Sequence, residues 1–508
     1  MTKQLNRAIW LWLALVIVGT GIAYGVLYSF RPYVLDDLSY FIDNRSWIMT
    51  HPYPWLRWPT HIAGMWLEVN GRLGDSSNML WLNVIPAWLR GAIEGLCVAG
   101  LYGGTVLWLR RLHFNAAGCI AGVALLMGCL PWWDASGLYV VHINYVWPCT
   151  LLLFAFYFLF WNVPRSRAGR TELCAAMFLA GAWHEAIGLP LIIALGIALT
   201  VKQIRSTNLW PMVWGILGGV YSTFSPGILG RMGAEHIPDD SIILLILKTV
   251  PFAAVLLAVV LYKLVRNPRV LWEQFSAHSG RTGILTAFSL ASAGVAVGSG
   301  IIGRPGWFAQ VFSLLALADL CCPTLPQIFV RSRWAGMVLS MILLGLMSVQ
   351  TVLTGIYQYR FDAESKGLIS KYLASADGFV VANVPDYRCA PEIVLNRAHT
   401  FPPPYDPWLQ ESLRKYRAAE AVGACGLTDS VIRAQPGLTI VPPELAAAME
   451  GLDSAPDEAV ETGGGVILPE GPIAVEVRAG SYPQRIEYRG FSAIVYIAIP
   501  PGSRPWNE

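Results

Sequence analysis

The chain has 508 residues, 55% of them hydrophobic and only 14% charged, with a mean hydropathy of +0.49 and a formal net charge of +3. Soluble domains carry roughly 25% charged residues, so this composition excludes an ordinary soluble fold and indicates a polytopic membrane protein. The basic residues form no continuous patch or stripe of the kind that follows a phosphate backbone, which excludes a nucleic-acid partner.

A membrane-crossing helix needs about 20 mostly apolar residues. Eleven candidate segments follow along the chain: 8–30, 81–107, 115–131, 146–163, 172–184, 186–201, 209–225, 242–265, 283–301, 307–328 and 334–356. The first begins with Lys3 and Arg7 and has no small-residue cleavage pattern before Arg31-Pro32, so it reads as a retained helix. Arg110 and Arg111, then Arg165, Arg167 and Arg170, Lys202 and Arg205, Lys263, Arg266, Arg269 and Arg281, and Arg331 and Arg333 fall in alternate gaps. The bias of short loops towards Lys and Arg makes those gaps cytoplasmic. With the N-terminus inside, eleven crossings leave everything after residue 357 outside.

The expected fold is an all-α polytopic membrane bundle over 1–356, joined to a small mixed α/β extracytoplasmic domain over 357–508. Tyr357-Gln-Tyr-Arg360 marks the boundary as an aromatic and basic belt. In the tail, "GFVVANVP", "GVILPEG", "IAVEVRAG", "RIEYRG" and "SAIVYIAIPPG" read as strands between Gly and Pro turn signals. Cys389 and Cys425 lie in an oxidising compartment on this topology, which would permit a disulfide. The outer loop 31–80 is long and carries Trp47, Tyr53, Trp55, Trp58 and Trp66, and is expected to form interfacial helices.

That loop opens with "RPYVLDDLSYF", where Asp36 and Asp37 follow the first apolar segment. Such a pair serves either as a cap and first-turn carboxylate of a surface helix or as a general base with a neighbour that orients it. Asp37 is the first choice for the base, with Asp36 positioning it or a metal. Arg72 in "NGR", His142 and Asn144 in "HINYVWP", His184 and Glu185 in "WHEAIG", Arg231 after "SPGILG" and Arg304 in "GRPGWF" fall on the same outer side. Ionisable groups at membrane depth are costly and point to function or to a partner. Arginines suit lipid phosphate, whereas headgroup anchoring and helix capping are their structural alternatives. Arg90 and Glu94 at helical spacing, and Asp319 in the tenth segment, read as buried ion pairs or proton-relay groups. There is no CxxC, HExxH, P-loop or GxSxG, so zinc, ATP and serine-hydrolase chemistry have no support.

Taken in order, "LDDLSYF", "NGR", "INYVWP", "WHEAIG", "SPGILGR" and "GRPGWF" resemble the GT-C superfamily of membrane glycosyltransferases. The similarity is to a bacterial family related to the glucosyltransferases that decorate O-antigen. This resemblance implies a sugar donor on a polyprenyl phosphate and an envelope glycan or lipid acceptor. It also implies inverting transfer on the outer face of the bacterial cytoplasmic (inner) membrane, with room for a divalent cation, Mg or Mn. Asp36 or Asp37 would be the base, Arg72, Arg231 and Arg304 would hold phosphate, and His142, Asn144, His184 and Glu185 would contact substrate. The chain departs from the pattern at Ile228, where Asn usually follows Pro-Gly, and at His184, where Asn is commoner. A flippase for lipid-linked saccharides and a non-catalytic envelope assembly protein are the rival expectations.

Overall fold

The computed structural model describes residues 3–374 except 32, 34–35, 38–39, 42–52, 131, 133–137, 165, 232–241, 301–302 and 322–332. Beyond these it describes 379–381, 475–477, 482–488 and 491–497. The helices are α1 (Lys3–Phe30), α2 (Trp58–Gly64), α3 (Leu73–Asn83), α4 (Ala87–Arg111), α5 (Ala116–Cys129), α6 (Tyr139–Trp161), α7 (Arg167–Trp183) and α8 (Glu185–Thr200). They continue as α9 (Lys202–Thr223), α10 (Pro226–Arg231), α11 (Ile242–Thr249), α12 (Pro251–Arg266), α13 (Pro268–Gly298), α14 (Trp307–Leu320) and α15 (Arg333–Ala374).

Each of the eleven apolar segments holds helix, and 242–265 is broken in two where Pro251 starts α12. Among the described residues, five helices are long and apolar enough to cross a membrane: Arg7–Phe30, Ala87–Arg111, Tyr139–Trp161, Gly280–Gly298 and Ala335–Ile356. Ala116–Cys129 and Glu185–Thr200 are apolar but shorter. The chain is therefore a helical bundle with several apolar helices of membrane-crossing length.

The closest packing in the bundle joins α1 to α4. Gly21 and Gly25 in "GIAYG" face Gly91 and Gly95 in "GAIEG", two small-xxx-small repeats that let the backbones meet. A Cβ on Gly21 would stand 2.7 Å from the Gly95 carbonyl oxygen, and one on Gly25 would stand 2.9 Å from that of Gly91. A second group is formed by α7, α8 and α9, and α14 packs on α13. The long α15 runs along α1 and α5, with Thr351 Oγ1 3.0 Å from Thr20 Oγ1 and Gln350 Nε2 donating to the Met127 carbonyl at 2.8 Å. Farther along α15, Asp362 is buried 3.6 Å from Arg31.

The expected Arg90–Glu94 pair does not form. Arg90 Nη1 donates to the carbonyls of Trp81, Leu82 and Ile85 at 3.3, 3.1 and 2.6 Å, at the C-terminal end of α3, where a cation meets exposed carbonyls and the negative end of the helix dipole. Glu94 instead accepts from Trp81 Nε1 at 3.2 Å and Trp147 Nε1 at 2.7 Å, and His142 Nδ1 lies against it. Asp319 does form a buried ion pair, accepting from Arg281 Nε and Nη2 at 2.8 and 2.6 Å and from Thr282 at 2.8 Å.

In the loop 31–80 a short 3-10 turn, Pro54–Arg57, precedes α2, and a π turn, Met65–Val69, follows it. Two of its tryptophans anchor it: Trp58 Nε1 donates to the Ser76 carbonyl at 3.2 Å and Trp66 Nε1 to that of Tyr221 at 3.0 Å. Trp47 lies outside the described residues.

In the tail, β1 (Phe379–Val381) pairs antiparallel with β2 (Val475–Val477), and β3 (Tyr482–Tyr488) with β4 (Phe491–Ile497). These four strands coincide with "GFVVANVP", "IAVEVRAG", "RIEYRG" and "SAIVYIAIPPG". "GVILPEG", Cys389 and Cys425 lie outside the described residues.

Gly95→Leu is expected to force α1 and α4 apart and lower the stability of the detergent-solubilised protein by at least about 1–3 kcal/mol, the usual cost of overpacking. Thermal unfolding followed by tryptophan fluorescence checks this, with Gly103→Ala as the control, since a Cβ there meets nothing within 4 Å.

Candidate active site

Residues 70–75 form a platform at one end of the bundle. Asn70 and Asp75 are buried, and Asn70 Nδ2 donates to Asp75 Oδ2 at 2.8 Å while its Oδ1 accepts from the Arg72 backbone N–H at 3.0 Å. Arg72 forms a two-pronged pair with Glu185: Nε donates to Oε2 at 2.6 Å and Nη2 to Oε1. Its Nη1 reaches Asp75 Oδ2 at 3.5 Å, and Asn144 Nδ2 donates to Asp75 Oδ1. Tyr40 lies beside Asp75.

Close backbone contacts explain two of the glycines. A Cβ on Gly71 would stand 2.7 Å from the Tyr221 carbonyl, and one on Gly227 would stand 2.6 Å from the Val69 backbone. "NGR" and "SPG" are thus neighbours in space, pressed together at the end of α9. Ile228, where Asn would be usual, is buried.

The two aspartates divide sharply. Asp37 is fully buried, and its Oδ2 and Oδ1 accept the backbone N–H groups of Tyr139 and Val140 at 3.0 and 2.8 Å. It therefore caps the start of α6, whose own N-cap residue, Leu138, supplies no side-chain bond. Burial pushes its carboxyl up to about 7, against the pull of the two N–H donors.

Asp36 is only half-buried and has no hydrogen-bond partner among the described residues. Burial raises its carboxyl above the usual range, Arg304 draws it back, Asp75 pushes it up and Arg72 draws it back again. Arg304 follows Gly303, whose φ of 100° is a conformation suited to glycine. No hydrogen bond or ion pair holds the Arg304 guanidinium among the described residues.

The remaining candidates separate. Asn144 and Glu185 join the platform. His184 caps α8, accepting from the Ala186 N–H through Nδ1 at 3.0 Å, and its buried ring lies 5.0 Å from that of Tyr145. Its observed role is thus that of a helix cap. His142 is fully buried against Glu94 and Tyr28 inside the bundle. Arg231 ends α10, and its side chain lies outside the described residues. Arg72, expected to hold phosphate, is instead occupied by Glu185 and Asp75. Asp75 and Tyr40 were missed from sequence, although "NGRLGD" sets Asp75 one helical turn beyond Arg72.

Both oxygens of Asp75 and of Glu185 accept from N–H donors, whereas Asp36 accepts from none among the described residues. No group of three or more His, Cys, Asp and Glu suited to a metal occurs among the described residues.

No family model, curated protein or solved structure matches the chain.

Asp37→Asn is expected to destabilise the protein by about 1–3 kcal/mol, because the amide can accept one of the two α6 N–H groups but turns its own NH2 towards the other. Asp36→Asn, which breaks no hydrogen bond, is expected to leave stability unchanged. Thermal unfolding of the two variants in the same detergent measures the difference.

Proposed function

We propose that this chain is an integral membrane glycosyltransferase of the GT-C type. It moves a sugar from a polyprenyl-phosphate donor to an envelope glycan or lipid acceptor on the outer face of the bacterial inner membrane. The observation that carries this reading is Asp36, a half-buried carboxylate that feels the charge of Arg304, neither of them hydrogen-bonded among the described residues, set against the Asp75–Arg72–Glu185 platform.

In this reading all eleven apolar segments cross the bilayer, the N-terminus is cytoplasmic and the tail strands belong to a mixed α/β domain outside. Asp36, rather than Asp37, is the base. Its carboxylate takes the proton of the acceptor hydroxyl as the acceptor oxygen bonds to the anomeric carbon from the face opposite the phosphate. The anomeric carbon–oxygen bond breaks with its electron pair going to the phosphate, whose charge Arg304 stabilises. The sugar leaves with inverted configuration, and Asp36 returns its proton to water. Asp37 positions Asp36 by fixing the loop to α6, and Arg72 positions the platform.

A flippase needs polar groups exposed along a path through the bundle. Glu94 with His142, and Arg281 with Asp319, are instead closed on one another inside it, which favours chemistry at one end.

Mass spectrometry of lipid-linked and mature envelope glycans tests the proposal in cells carrying the wild-type chain, a deletion, Asp36→Asn or Asp37→Asn. One sugar should vanish in the deletion and in Asp36→Asn at unchanged protein level, while Asp37→Asn should lose it in proportion to folded protein. Retention of that sugar by a fully expressed Asp36→Asn chain would sink the assignment. In membranes supplied with the donor so identified, the rate should fall as pH drops through the raised Asp36 value. Removing a positive neighbour raises a carboxyl further, so Arg304→Gln should move that acid limb to higher pH.

A further inference from the structure

A second feature lies at the far end of α7, about 25 Å from Glu185 at the helical rise of 1.5 Å per residue. There α7 and α9 part to leave a cavity of about 980 Å³. It exists because α9 breaks: Asn208 leaves helical geometry at φ −132° and ψ 27°, and Pro211 follows within the next turn. The break is held by Asn208 Nδ2, which donates to the Leu159 carbonyl at 3.1 Å. Phe178, Trp210 and Trp214 line the cavity as an apolar wall, and Arg170 and Thr171 as its polar edge. Arg170 is exposed, and among the described residues only its Nε is engaged, by the Pro164 carbonyl at 3.2 Å. Trp210 is 67% exposed, so no described element covers this wall.

Among the residues that line the cavity, Arg170 carries the formal charge, and Arg167 lies one helical turn before it on α7. An apolar, Trp-lined cleft of this volume is at the upper end of the range for small-molecule sites, about 300–1,000 Å³. Basic side chains at the mouth of such a cleft select an anionic headgroup whose chains occupy the aromatic wall.

We infer that this cavity binds an anionic glycerophospholipid of the cytoplasmic leaflet, its phosphate at Arg170 and its acyl chains along Phe178, Trp210 and Trp214. The site is independent of glycosyl transfer. It rests on the orientation proposed above, in which this end of α7 is cytoplasmic, and the cytoplasmic leaflet is the one that presents acidic lipid to juxtamembrane basic residues.

Native mass spectrometry of the full chain in mild detergent tests this, with phosphatidylglycerol, phosphatidylcholine and a polyprenyl phosphate added in turn. The wild-type chain should retain one phosphatidylglycerol about fivefold more strongly than phosphatidylcholine, the effect of one basic side chain at a surface. Arg170→Lys should keep that preference, Arg170→Gln should reduce it to the phosphatidylcholine level, and Ala175→Trp, which fills the cavity, should remove retention of both. Thermal unfolding of each variant establishes that it is folded. Equal retention of the two phospholipids by the wild-type chain overturns the inference, as does unchanged retention in folded Arg170→Gln and Ala175→Trp, or displacement of phosphatidylglycerol by polyprenyl phosphate. Loss of the lipid site would leave the Asp36→Asn glycan result untouched, so the two proposals fail separately.

Discussion

The pairing of Arg72 with Glu185 is the contact on which this end of the bundle depends. Its two parallel N–H···O bonds fix direction as well as distance, as a guanidinium with a carboxylate does. Arg72 and Glu185 side chains keep only 26% and 25% of their exposure, so neither charge could sit there alone without a large desolvation penalty. The pair joins the loop after α2 to the α7–α8 junction. Asp75 then ties the same loop to α6 through Asn144, so three stretches far apart in sequence become one rigid surface.

Beside that surface, Asp36 and Asp37 show how adjacent residues of one type take opposite roles. Neighbouring side chains on a helical turn point apart. One meets the free N–H groups at the start of α6, where a negative charge is doubly favoured by hydrogen bonding and by the helix dipole. The other is left without a donor. Both alternatives for an acidic pair, a cap and an available carboxylate, are therefore realised together, and the rigidity of the first limits where the second can stand.

Much of the helical architecture was legible because apolar runs of this length have few other fates. The break in 242–265 was visible as Pro251, which cannot take part in the preceding helix. Asn144, Arg72 and Glu185 stood out in the sequence with His142, His184, Arg231 and Arg304, but that these three would meet at Asp75 was not legible there. What escaped depended on partners distant in sequence. Arg90 and Glu94 had the right spacing for each other, yet Trp81, Trp147 and the α3 carbonyls satisfied them first. Arg72 looked free to hold phosphate until Glu185, more than a hundred residues away, occupied it. His142 and His184 carried no local sign that one would be buried against Glu94 and the other would cap a helix. The facing "GIAYG" and "GAIEG" repeats were readable as close-packing motifs, but which helix each would meet was not.

The length of α15 has a mechanical meaning. Its 42 residues, at 1.5 Å per residue, make a rod of about 63 Å, roughly twice the 30 Å of a bilayer's hydrocarbon core. The surplus does not leave the bundle at once, because Asp362 is buried against Arg31, a few residues before Asp36 in the acidic loop. Displacing this part of α15 would therefore pull on the start of that loop.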